Sequence, residues 1–430
     1  MHQATPFVRA KNGSWLTALL PCIAFLLYSA TFCSAKSMAK EDLIGDADSA
    51  QYTGLLANWD IRQPFGDAFR LTGRQLGDRQ QSHKIKHVLL LQVFGPIVRQ
   101  SVRLGVDPWL AAKTPIALLA AVTILLTGIL LRRSRQRPGA IIPVLTMLMM
   151  APGMWVYASQ PDSWVFTGTL VLGLIVLTTA HPHAILLHAL SIGIAMTNNV
   201  LIGCLCVAPF VWRLCQGDEL RKVVAAVIVT GLLALIVWSG SLAIFSIFDP
   251  DLAPHRVVSQ LAFAQRLVDP EPRPLWHPAT IRLSLEQWMV TAFTSYQHDQ
   301  MLVGWGLGNT WRTSWIGRVA ILIFAATWTW CVRNIAREFL VRRAEFWRVN
   351  ALLCVVVSVT LSFAVLLHIG TPRGVFLYSP LMAPLVSVIF GLSIGTTSNR
   401  ANLLWITCSA VAVTAIMQMN WLYATLAERS

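Results

Sequence analysis

Charge is what this chain has least of. Only 13% of its 430 residues are Asp, Glu, Lys or Arg, about half the share of a soluble globular protein. Acidic residues are the scarcer sign, 20 against 34 basic ones. A water-filled exterior needs more polar surface than that, so a soluble domain of this length is excluded. There is no GxGxxG turn and no GxxxxGK[ST] loop, which removes the usual dinucleotide and nucleotide cradles. No repeat of fixed period runs through the chain, which removes solenoids and propellers. Eight cysteines give no ligand spacing. Cys204, Cys206, Cys215, Cys331, Cys354 and Cys408 lie in or beside apolar runs and read as small apolar side chains. Cys33 alone is placed to meet an oxidising compartment, and the sequence offers it no evident partner.

What is there instead is apolar sequence, 55% of the residues, with a mean hydropathy of +0.58. That is the composition of a polytopic membrane protein. The net charge of +14 is not the footprint of a nucleic-acid binder, because the basic residues sit in short clusters beside apolar runs. Clusters of that kind orient helices in a bilayer.

Spans of suitable length recur at 15–33, 113–131, 140–157, 163–180, 183–196, 200–212, 223–247, 315–332, 350–369, 375–394 and 402–423. The first follows Arg9 and Lys11 and ends at Cys33-Ser34-Ala35, where a signal peptidase would find small residues. Its length already matches a crossing, so a retained signal-anchor is the expectation. Segments 183–196 and 200–212 are each short, and form either one tilted helix or two helices meeting at Thr197-Asn198-Asn199. Three basic clusters decide between these: Arg132, Arg133, Arg135 and Arg137; Arg213, Arg221 and Lys222; and Arg333 through Arg348. They share one side with the basic amino terminus only if 183–212 crosses twice. The expectation is an all-α polytopic membrane protein of about eleven helices, one integral membrane domain over 1–430. Its amino end is cytoplasmic and its carboxyl end outside, as in a multi-pass protein of a bacterial inner membrane.

The acidic residues are concentrated on the opposite side, mostly in outer loops at 34–112 and 248–314, and only Asp218, Glu219, Glu338 and Glu345 remain on the cytoplasmic side. Acidic residues hardly influence insertion, so their placement points to function or solvation outside. Residues 41–87 are the most polar stretch. Glu41, Asp42, Asp46 and Asp48 come first, then Arg70, Arg74, Arg79, Lys84, Lys86 and His87. A short helix is expected over 50–59, and helices lying in the membrane interface over 88–104 and 281–296.

Asp46 and Asp48, followed by Tyr52, offer paired carboxylates just outside the bilayer, suited to a general base with an orienting or metal-binding partner. The bland alternative is a solvated acidic turn. Asp162, in Pro161-Asp162-Ser163, opens a span on the outer side as a helix cap or as a further acid. Lys86-His87 puts a cation and an imidazole at head-group level, to bind a lipid phosphate or to anchor a helix. Arg373 is a lone cation in a short outer turn, an exception to the positive-inside trend that suits bidentate phosphate binding. Asn198 and Asn199 either cap a hairpin or hold polar substrate groups, and His181-Pro182-His183 reads as a tight connection.

In layout and in degenerate motifs, over most of its length, the chain resembles the GT-C superfamily of polytopic glycosyltransferases. The matching segments are Asp48-Ser49-Ala50-Gln51-Tyr52, Lys86-His87-Val88-Leu89, Pro161-Asp162-Ser163 and the RGVFLYSP run from Arg373 to Pro380. It departs from the pattern at His87-Val88, where His-Pro is usual, and at Asn198-Asn199, where Lys is frequent. The resemblance implies a polyprenyl-phosphate-linked sugar donor, a glycan, lipid or protein acceptor, and Asp48 or Asp46 as catalytic base. It implies substrate contacts from Tyr52, Lys86, His87, Asp162, Arg373 and Asn198. An outer acid cluster would offer oxygen ligands to Mg²⁺ or Mn²⁺, though nothing in the sequence demands a metal. The rival readings are a secondary transporter, a polysaccharide polymerase or ligase, and a non-catalytic scaffold.

Overall fold

A computed structural model describes residues 14–31, 48–59, 87–134, 136–247, 252–258, 315–370, 379–394 and 401–429. Among these residues the regular structure is helical and contains no strand. The helices are α1 (Ser14–Ala30), α2 (Asp48–Ala57), α3 (Val88–Arg103), α4 (Pro108–Arg133), α5 (Pro138–Met150), α6 (Pro152–Ala158), α7 (Trp164–Ala180) and α8 (Ile185–Met196). A 3₁₀ segment (Val200–Cys206) leads into α9 (Val207–Cys215). The chain continues through α10 (Leu220–Ser246), α11 (Trp315–Arg342), α12 (Phe346–Val349), α13 (Ala351–Gly370), α14 (Ser379–Ile394) and α15 (Ala401–Arg429).

Among the described residues four helical stretches are long and apolar enough to cross a membrane: Pro108–Arg133, Leu220–Ser246, Arg318–Arg342 and Asn402–Asn420. The bent pair α5 and α6 makes a fifth if it counts as one span. Shorter apolar helices cover the remaining runs expected from the sequence. The core is built around α4, which packs against α1, α7 and α14, while α10 keeps Ile228, Leu232 and Ile236 exposed. An exposed apolar helix face of that kind suits lipid contact rather than water.

Local chemistry sets where the helices start and bend. Proline occupies the first turn of α4, α5 and α6, where its missing N–H costs nothing. Asp107 caps α4, its Oδ1 accepting from Trp109 N at 3.0 Å and Leu110 N at 3.2 Å. That cap starts the helix at Pro108, five positions before the expected 113, and so places Lys113 in its second turn instead of at its head. Ala151 precedes Pro152 and is held in extended backbone, which breaks α5 from α6 with a 58° bend.

Two long-range approaches fix the register of neighbouring helices. A Cβ on Gly168 of α7 would sit 2.5 Å from the Pro380 carbonyl oxygen, so α7 and α14 start side by side. At the far end a Cβ on Gly391 of α14 would meet Leu131 of α4 at the same distance. Asn334 of α11 donates to Ser393 O at 3.2 Å, bringing the end of α11 there too. Arg133 of α4 donates to Val176 O and Thr179 Oγ1 at the end of α7, at 3.0 and 2.9 Å. Residues 183–215 fold back on themselves: His183 Nδ1, before α8, lies 3.8 Å from Asp218 Oδ2, after α9. Arg213 Nε meets the same oxygen at 2.7 Å. The turn at 197–199 is therefore a hairpin. The described parts of all three basic clusters share one end of the bundle, called here the arginine end.

Candidate functional site

The opposite end gathers buried polar side chains around the start of α7. Pro161 cannot donate, and the chain passes through Asp162 and Ser163 before the first helical residue, Trp164. Asp162 Oδ1 accepts from Trp164 N at 2.6 Å. That is the capping role expected of an Asp there, and it sets the carboxylate at the positive end of the α7 dipole. Unlike a surface cap, Asp162 is only 2% exposed.

Ser163 is the junction. Tyr52 of α2 donates its hydroxyl to Ser163 Oγ at 3.1 Å, across 111 positions of sequence. His87 Nε2 lies 3.1 Å from the same oxygen. Ser163 Oγ and His87 Nε2 share one hydrogen, carried by either atom according to the imidazole tautomer. The three side chains are all buried. Ring contacts close the group: Tyr52 meets His87 edge to face at 5.8 Å, and His87 meets Trp164 at 6.5 Å.

Helix geometry explains how the polar loop delivers these groups. The short helix expected over 50–59 forms as α2, and the one expected over 88–104 forms as α3. His87 is the residue ahead of α3, and its ring reaches Ser163 instead of capping its own helix. Helix α3 buries Val88, Leu90, Leu91 and Val98 and packs on α2 and α4, so it is clamped to the bundle. Asp48 opens α2 one helical turn before Tyr52.

Asn198 joins one link away. Its Nδ2 donates to Thr167 Oγ1 at 3.1 Å, and Thr167 Oγ1 donates to Ser163 O at 3.2 Å. Asn198 Oδ1 is buried with no hydrogen-bond partner among the described residues. Asn199 caps the 3₁₀ segment, accepting from Leu201 N at 3.0 Å. Of the expected site residues, Tyr52 and His87 thus meet at Ser163, Asp162 precedes it in the chain and bonds Trp164 N, and Asn198 reaches it through Thr167. Asp46, Lys86 and Arg373 lie outside the described residues, as does the Asp48 side chain. The expected helix over 281–296 lies outside them as well.

Sequence reasoning passed over two groups. Ser163 was only part of a motif, since nothing local marks a serine as a three-way junction. Lys113 is 1% exposed, and its Nζ donates to the Thr31 carbonyl at the end of α1. Thr31 Oγ1 in turn accepts from Trp155 Nε1 at 2.9 Å. The available signal was a lysine at the head of an apolar run, where intramembrane cations are rare and functional. This end of the bundle therefore holds an acid, a cation, an imidazole and a phenol, all largely removed from water. Such a set can move protons and stabilise charge in a low-dielectric setting. Among the described residues no three His, Cys, Asp or Glu side chains come together as metal ligands. Comparison with protein families, with curated proteins and with solved structures gave no match to this chain.

Proposed function

We propose that this protein is a membrane glycosyltransferase of GT-C type, moving a sugar from a polyprenyl-phosphate donor to an extracytoplasmic acceptor. In this reading eleven helical segments cross the bilayer of a bacterial inner membrane, with the arginine end cytoplasmic and the Ser163 end outside. The observation that carries it is the Ser163 junction. It ties the segment after Asp48 to the segment after Lys86, beside Asp162, at the end opposite the arginines.

The chemistry follows from what such a reaction needs. A sugar hydroxyl is a poor nucleophile, and Asp48, or Asp46, accepts its proton as it attacks the anomeric carbon. The bond to the lipid phosphate breaks as the new glycosidic bond forms, with inversion at that carbon. Charge growing on the departing phosphate is met by Arg373 and Lys86-His87, and stabilisation of this kind is usually the largest catalytic term. Tyr52 and His87 hold the two loop segments in register through Ser163, and Asp162 keeps the start of α7 in place.

The test is transfer from lipid-linked sugar to acceptor in membranes carrying Asp48→Asn or Asp46→Asn, made singly. Loss of transfer in at least one variant is expected. Normal transfer in both removes the enzymatic reading. A secondary transporter is the second reading, favoured by the break between α5 and α6 and by the unwound turn holding the buried Asn198. Solute flux into vesicles containing the wild-type protein would decide for it.

A further inference from the structure

The arginine end also brings two cysteines together. Cys215 is the last residue of α9, Cys354 lies near the start of α13, and these two helices pack on each other. A hydrogen bond joins their thiols. Both are free cysteines. Cys215 is buried and Cys354 is partly exposed, so a small uncharged reagent has a way in. The sequence reads each as a small apolar side chain, and only helix packing puts one sulfur against the other. Other described cysteines lack such a partner. Cys331 and Cys408 are buried within the bundle, Cys331 bonded to Ser393. Cys204 and Cys206 share the 3₁₀ segment, where side chains three apart align and these two, two apart, diverge.

Two thiols in contact can do what one cannot. A lone thiol oxidised by a peroxide stops at a sulfenic acid, whereas a neighbouring thiol converts that acid to a disulfide. Whichever sulfur of the pair ionises is held by the S–H of the other, which favours the thiolate that attacks. We infer that Cys215 and Cys354 are a modification site, closing to a reversible disulfide in response to hydrogen peroxide. One thiolate attacks a peroxide oxygen and the O–O bond breaks. The released hydroxide takes up the proton that the thiol gave up and leaves as water, and the sulfur becomes a sulfenic acid. The second sulfur displaces that hydroxyl, which leaves with the second thiol proton as another water. The two thiols thus lose two electrons and two protons, and the peroxide is reduced to water. A dithiol reverses the step by exchange. The new bond ties the end of α9 to the start of α13 and so fixes the arm that leads away from the Asn198 turn. With the arginine end in the cytoplasm, as proposed, the pair rests reduced and the disulfide is transient. The inference does not depend on the glycosyltransferase reading, since the pair lies at the end away from Ser163.

The experiment uses full-length protein in an uncharged detergent, reduced and then freed of reductant. It is exposed to a modest excess of hydrogen peroxide, alkylated, and digested without reduction for mass spectrometry. A peptide pair linked through Cys215 and Cys354 is expected as the main disulfide, and dithiothreitol is expected to restore both thiols. Recovery of Cys215 and Cys354 as alkylated thiols after peroxide overturns the site. So does a pattern in which they pair with each other no more than with other cysteines, which would mean random oxidation. Cys215→Ser and Cys354→Ser then test the resolving step. In at least one of them, dimedone is expected to trap severalfold more sulfenic acid on the remaining sulfur than in wild type. Trapping at the wild-type level in both overturns the resolving role. If neither variant folds, the linkage found in the wild-type chain decides alone.

Discussion

Replacing Ser163 with alanine removes one oxygen and, with it, the hydrogen bonds to Tyr52 and His87. Both partners are buried, so water does not simply take its place. Side-chain hydrogen bonds between membrane helices are worth about 0.6 kcal/mol on average and at most about 1.7. Losing two, with some burial cost left on the partners, predicts destabilisation of about 1–3 kcal/mol for Ser163→Ala. Unfolding of the purified protein by denaturing detergent would measure it. Because the Tyr52 link spans separate helices, a double-mutant cycle with Tyr52→Phe isolates it. A coupling of about 0.6–1.7 kcal/mol is expected. Strict additivity of the two substitutions would show that the phenol and the serine do not meet, and the junction argument would fail with it.

Gly168→Ala places a methyl group against the Pro380 carbonyl and is expected to cost about 1–3 kcal/mol by overpacking; wild-type stability would contradict the close approach of α7 and α14. Val106→Cys and Gln216→Cys, both at exposed positions, are expected to react with an impermeant thiol reagent from opposite faces of the membrane. Labelling from the same face would disprove the proposed sidedness. Arg373→Ala is expected to raise the apparent donor KM of the proposed transferase, and an unchanged donor response would remove its phosphate role.

The helices themselves were legible because their signal is composition. Apolar runs bounded by proline or arginine gave the right segments, and the bundle keeps nearly all of them. Boundaries moved where a side chain intervened, as when the Asp107 cap began α4 at Pro108, five positions before the expected start at Lys113. The hairpin at 197–199 was inferred from charge balance, and the His183–Asp218–Arg213 contacts give it a geometric basis. For the site, residue types and their order along the chain singled out Tyr52, His87, Asp162 and Asn198.

What the chain could not disclose was who meets whom. The meeting of Tyr52, Ser163 and His87 is a property of distance, and 111 positions separate its furthest members. The same holds for His188, which reads as one more residue of α8 until α9 and α10 close around it and leave both ring nitrogens without a hydrogen-bond partner among the described residues. Composition determines that these segments are helices and that they avoid water, because both follow from local backbone satisfaction and apolar area. Which polar atoms are left facing one another depends on the crossing of helices distant in sequence, and packing alone decides that.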